Sequence, residues 1–257
     1  MTTTTRSSDP IRSFFAAIAL GAGGLIVGTA LVFTTQFAVV SAGVELTPLS
    51  LIVTSLILIQ GISFGGVALL YSRYRGLDRS YFGVSIPSLR DIVAVVLGYM
   101  TALGAVFVSA FIISAIGVEP GSNQVTEIAA KDPEVLLLLV PASFLLIGPG
   151  EELLFRGVVQ NRIREAFGPV PGIALASAIF AAIHYVALTG GAGGRLVTIG
   201  ILFFPSVVFG TAYELTDNLA VPALIHGAYN ATLFTIAYLT FKLAEMNPGE
   251  IPTELLF

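Results

Sequence analysis

Two glutamates and an arginine, in the run Glu151-Glu152-Leu153-Leu154-Phe155-Arg156, stand at the end of an apolar stretch long enough to cross a membrane. The chain has only two histidines, His184 and His226, and each lies in a separate apolar stretch further on. Charged and imidazole side chains are expensive inside a bilayer and are retained there for function or for pairing with one another. Carboxylates and imidazoles brought together between helices can move protons, polarise a water molecule or bind a metal ion.

Helical spacing separates the two acids. Glu152 and Arg156 are four residues apart and share a face, so they can pair. Arg156 keeps its charge and needs a carboxylate in such surroundings. Glu151 is turned away by about 100°, which leaves it as the candidate for proton transfer. The alternative is that both acids merely neutralise Arg156 and a neighbouring helix. Gly148-Pro149-Gly150 precedes the pair. Pro149 donates no backbone hydrogen bond and clashes one turn back, near Leu145, so a kink or local opening is expected there. Irregular backbone at membrane depth is tolerated where it lines a cavity or the protein interior.

The histidines sit in similar local patterns. Phe180 and His184 share a face at i, i+4, among the small residues Ala174, Ala176, Ser177, Ala178, Ala181 and Ala182. His226 and Asn230 repeat that spacing, with Pro222 one turn earlier, where it can open a helix. Small-residue helix faces permit close approach in lipid.

The elements that must position these groups are membrane helices. Hydrophobic residues make up 55% of the 257 and charged residues 11%, and mean hydropathy is +0.91. A soluble domain carries about 25% charged residues. The expected fold class is therefore all-α, a polytopic membrane bundle of about seven spans. They are placed at Ser13–Val40, Leu51–Tyr71, Asp91–Gly117, Pro133–Val159, Val170–Leu188, Leu196–Tyr213 and Leu219–Leu243. An eighth, half-buried segment within Gly117–Pro133 is the alternative count. Gly24-xxx-Gly28 and Gly61-xxx-Gly65 in the first two spans suit helix packing.

Loop charges give an orientation. Arg6, Arg12, Arg73, Arg75, Arg79, Arg90, Arg162 and Arg164 fall on one side of a seven-span chain; Lys131, Arg195 and Lys242 fall on the other. Basic loops stay cytoplasmic, so the N-terminus is expected in the cytoplasm and the C-terminus outside. On these boundaries Glu151 lies roughly 13 Å and His226 roughly 10 Å from the cytoplasmic end, with His184 deeper at roughly 20 Å. Cysteine is absent, which removes disulfides, thiolate nucleophiles and thiolate metal ligands. No basic tract points to nucleic acid.

The three motifs Glu151-Glu152-xxx-Arg156, Phe180-xxx-His184 and His226-xxx-Asn230 together resemble the signature of the CPBP intramembrane protease family. That family joins type II CAAX prenyl endopeptidases with bacteriocin-processing and immunity proteins (the ABI family). The resemblance divides the chain into N-terminal spans at 1–132, a CPBP-like catalytic core at 133–243 and a short tail at 244–257. It implies hydrolysis of a peptide bond in a membrane-associated, CAAX-type or non-prenylated substrate. By position, Glu151 would be the general base and His184 would help hold the water. His226 and Asn230 would stabilise the oxyanion. Glu152, Arg156 and Phe180 would support them.

The implied cofactor is either none or zinc. Glu151, His184 and His226 would form the ligand set if a metal is bound. The helical H-E-x-x-H arrangement is missing, and using Glu151 as base leaves two histidines, so the metal-free form is favoured. Implied partners are the lipid bilayer and a membrane-embedded peptide, with no nucleic acid and no oligomeric state legible. Competing classes are a transporter or proton relay, since intramembrane Glu, His and Arg also mark ion paths, and a non-catalytic scaffold or immunity protein.

Overall fold

The computed structural model describes residues 9–246. Arg6 and residues 247–257, most of the expected tail, lie outside the described residues. Regular structure among the described residues is helical, apart from one isolated β-bridge, Asn123 to Leu188. In order the helices are α1 (Pro10–Ser41), α2 (Pro48–Arg75), α3 (Leu89–Ile116), the short α4 (Gln124–Ala129), α5 (Val135–Phe167), α6 (Pro169–Ala187), α7 (Ala192–Thr216) and α8 (Ala220–Met246).

Local chemistry sets the boundaries. Asp9 accepts from Ile11 N at 3.0 Å ahead of Pro10, and so caps α1. Thr47 with Ser50, and Ser88 with Asp91, form reciprocal caps on α2 and α3. Gly117, at φ +67°, ends α3. Gly168, at φ +83°, followed by Pro169, parts α5 from α6.

Six of these helices, α1, α2, α3, α5, α6 and α7, are long and apolar enough to cross a membrane. The chain is an integral membrane protein with a polytopic all-α bundle. The seventh expected span corresponds to α8, which is 27 residues long but is not among the six. His226, Tyr229 and Asn230 dilute its hydropathy. The segment weighed as an eighth span contains only the six-residue α4, too short to cross a bilayer. The fourth expected span, α5, runs to Phe167, not Val159, because the charged turn Arg162–Glu165 continues it past the apolar run.

The loops gather at two ends. At one end Leu219 N bonds to Gly83 O and Asn218 Oδ1 accepts from Ser85 N. Arg75 and Arg162 both pair with Glu165, and Arg164 pairs with Glu214. Burial and the neighbouring Glu165 carboxylate push the Tyr81 phenol up from its ordinary pKa. At the other end Thr189 Oγ1 donates to Glu127, Asn123 bridges Leu188, and Lys242 pairs with Glu134. Segments expected to share a side of the membrane thus meet each other, and α8 runs from one end to the other.

Of the two small-residue motifs, one packs. A Cβ on Gly28 would lie 3.1 Å from the Ile59 Cα, and Ser63 Oγ donates to Gly24 O at 2.5 Å, so α1 and α2 touch backbone to backbone. Gly65 has nothing near it and Gly61 only the end of Leu146; that pair is not an interface among the described residues. The core beneath the site is aromatic: Phe155 meets Phe64 and Phe180 edge to face, at 5.9 Å and 5.1 Å between ring centroids.

Candidate active site

The backbone around the glutamates opens as expected and does so as wide π-type turns. Ser143–Ile147 is π-helical, and Gly148 N–H reaches back five residues to Ser143 O immediately before Pro149. A second π segment, Leu153–Gln160, follows the acids. Such turns are rare and concentrate at functional sites. The two glycines flanking Pro149 allow close approach. A Cβ on Gly148 would fall 2.6 Å from Ala223 O of α8, and one on Gly150 would collide with the Gln60 carbonyl of α2. Both neighbours can therefore press against α5 at the level of the acids.

Glu152 and Arg156 pair as the spacing required: Arg156 Nε lies 2.8 Å from Glu152 Oε2, with neither side chain exposed. Arg156 Nη2 also donates to Ser206 Oγ of α7 at 2.8 Å. Its guanidinium carbon sits 5.4 Å from the centre of the Phe180 ring, close enough for a cation–π contact. The other Glu152 oxygen, Oε1, is 2.8 Å from His226 Nδ1. Glu152 is thus shared between Arg156, the partner its spacing suggests, and His226, which the spacing does not reveal.

Glu151 turns away from this pair. It is 7% exposed, against 0% for Glu152, and so it is the acid nearer the surface of the cluster. Its Oε2 lies 3.7 Å from His226 Nε2. Its Oε1 accepts from Gln60 Nε2 at 2.7 Å. His226 therefore stands between the two acids, one ring nitrogen toward each. Phe209 of α7 stacks on its ring at 4.7 Å and 20°.

A carboxylate beside Nδ1 makes that nitrogen the donor. In the neutral ring Nε2 is then an acceptor, and only a doubly protonated ring donates from Nε2. The oxyanion role implied for His226 therefore calls for the doubly protonated ring if Nε2 is to donate.

His184 meets the same Phe180 ring that His226 meets. Phe180 is 4.6 Å from His184 and 5.9 Å from His226, centroid to centroid. His184 Nδ1 is 2.7 Å from Phe180 O, which leaves Nε2 as its free nitrogen. His184 is half-buried and makes no hydrogen bond to Glu151 among the described residues. Asn230 is one turn beyond His226, also half-buried, and bonds to no described side chain. Among the described residues no three His, Asp or Glu side chains are grouped so as to hold a metal ion. The donors explain this: Glu152 is committed to Arg156 and His226, and one nitrogen of each histidine is already engaged.

Three participants escaped the sequence reading. Gln60 carried a usable signal, since an amide in an apolar run is itself a polar intramembrane group. Ser206 and Phe209 carried none, because one serine and one phenylalanine in α7 are unremarkable without the fold.

The fold and this cluster define a polytopic membrane protein with a carboxylate–imidazole site buried among α2, α5, α7 and α8. Residues 133–232 match the family model for type II CAAX prenyl endopeptidases, described as Rce1-like, so the resemblance carried by the three motifs is shown over that segment. A curated relative, the uncharacterized protein YpbD of Bacillus subtilis (strain 168), is 38% identical over 86 residues, 32% of this chain and 36% of that protein. The match spans about a third of the length of that relative. No solved structure matches.

Proposed function

We propose that the chain is an intramembrane endopeptidase that hydrolyses a peptide bond of a membrane-associated substrate with water activated by Glu151. The observation that carries this is the difference between adjacent acids: Glu152 is fully buried and neutralised by Arg156, while Glu151 keeps an oxygen free of any basic partner among the described residues closer than His226 at 3.7 Å. The family match supplies the reaction class.

In this reading Glu151 takes a proton from water as the oxygen adds to the scissile carbonyl carbon. His184 Nε2, the ring nitrogen not engaged by Phe180 O, helps hold that water. The carbonyl becomes an oxyanion, which the Asn230 amide stabilises, joined by His226 Nε2 when that ring is doubly protonated. When the C–N bond breaks, the proton passes from Glu151 to the departing nitrogen and the carboxylate is restored. Glu152 fixes the orientation of His226, and Arg156 with Ser206 and Phe180 fixes Glu152. No step uses a metal, because Glu151, His184 and His226 are not arranged as a ligand set.

The basic end of the bundle, where Arg75, Arg162 and Arg164 gather, is assigned to the cytoplasm of the cell membrane. The substrate is a membrane-embedded peptide terminus, of CAAX type or without a prenyl group.

The test compares the membrane proteomes of cells carrying the wild type and Glu151→Gln. The variant is expected to insert and fold normally while one or more membrane proteins keep an untrimmed terminus. Near-normal trimming by Glu151→Gln would remove the general base and this reading with it.

A further inference from the structure

Gln60 enters the cluster from α2, outside the matched residues 133–232. It stands in the middle of the π-helical stretch Leu56–Phe64. Its Nε2 donates to Glu151 Oε1 at 2.7 Å, across 91 residues of sequence. Its Oε1 is buried and has no hydrogen-bond partner among the described residues.

That imbalance is informative. An amide placed only to satisfy itself would settle both its donor and its acceptor. Here the donor serves the carboxylate and the acceptor goes without. The amide cannot be turned over against an ionised acid, because its oxygen would then face the Glu151 oxygen.

The backbone holds Gln60 in place from two sides. Gly150 sits directly against its carbonyl, with no room for a Cβ, and the preceding Ile59 packs on Gly28 of α1. Ser63, one turn on, is anchored to Gly24 O at 2.5 Å. The amide therefore has little latitude, and the oxygen it grips has little either. With Oε1 of Glu151 held, Oε2 is left on the His226 side.

We propose that Gln60 is a positioning residue for Glu151, holding one carboxylate oxygen so that the other is presented for proton transfer. This rests on the reading of Glu151 as general base. It extends the working site to the N-terminal spans, outside the matched residues 133–232.

The experiment measures infrared spectra and peptide cleavage on purified full-length protein in parallel. The carboxyl stretching bands that differ between wild type and Glu151→Gln identify the Glu151 signal. Gln60→Met keeps the length and loses the donor; Gln60→Asn keeps the amide and shortens the reach, and serves if the first variant does not fold. In either folded variant the Glu151 band is expected to shift. The turnover number is expected to fall about tenfold or more, with KM and melting temperature little changed, as for a group acting on the reaction rather than on substrate binding. An unshifted Glu151 band overturns the proposal whatever the activity, and so does a shifted band with undiminished turnover. If the band shifts and the wild type cleaves no substrate, the hydrogen bond stands and the protease reading is what fails.

Discussion

Glu152 is the residue on which the cluster depends for its charge balance. It is fully buried, it neutralises Arg156, and it fixes Nδ1 of His226. Removing one member of such a pair leaves an unpaired charge in a low-dielectric interior, at a cost of about 3–5 kcal/mol. Glu152→Ala is therefore expected to lower the melting temperature in detergent as well as abolish activity. Glu151→Gln, whose site is less buried and whose partner is a neutral amide, is expected to lose activity with little loss of stability. Equal melting temperatures for wild type and Glu152→Ala, measured by thermal shift, would contradict the assignment. The difference between the two variants is the sharper comparison, because the residues are adjacent and chemically identical.

At the scale of the element, α5 delivers both acids through two π-type openings and a pair of glycines. Gly148 and Gly150 work by what they lack: each lets a neighbouring helix touch the α5 backbone, α8 bringing His226 and α2 bringing Gln60. Gly150→Val puts a branched side chain against the Gln60 carbonyl and must push α2 outward. Overpacking of this kind costs about 1–3 kcal/mol, and here it also breaks the Gln60–Glu151 hydrogen bond. Both melting temperature and cleavage are expected to fall. A matching change at Gly65, which has open space around it, is expected to do neither. A Gly150→Val protein as stable and active as wild type would show that the close contact is not required.

For the whole molecule, the arrangement of loop contacts agrees with a chain that alternates sides at every helix except the short α4, α8 included. The end that carries Arg75, Arg162 and Arg164 is expected to face the cytoplasm. The natural absence of cysteine makes this simple to check, since single cysteines can be introduced without a background. In intact cells a membrane-impermeant thiol reagent is expected to label Glu119→Cys and spare Arg79→Cys, and to label both after lysis. The reverse pattern would invert the topology and place the site's nearer entrance on the outer face.

Composition and period by themselves determined that this is a polytopic helical membrane protein, and the i, i+4 spacing determined the Glu152–Arg156 pair. Both are local consequences: hydropathy selects the solvent, and helix geometry sets which neighbours on one strand of backbone can meet. The break around Pro149 was legible for the same reason. Tertiary structure alone decided that Glu152 is shared with His226, that a glutamine 91 residues upstream grips Glu151, and that both histidines meet the Phe180 ring. It also decided that Gly24 and Gly28 pack while Gly61 and Gly65 do not. Those facts depend on which helix lies beside which and at what height. In a bilayer that choice is made by close packing between helices whose lipid-facing and protein-facing residues are equally apolar, so the sequence pattern carries little trace of it.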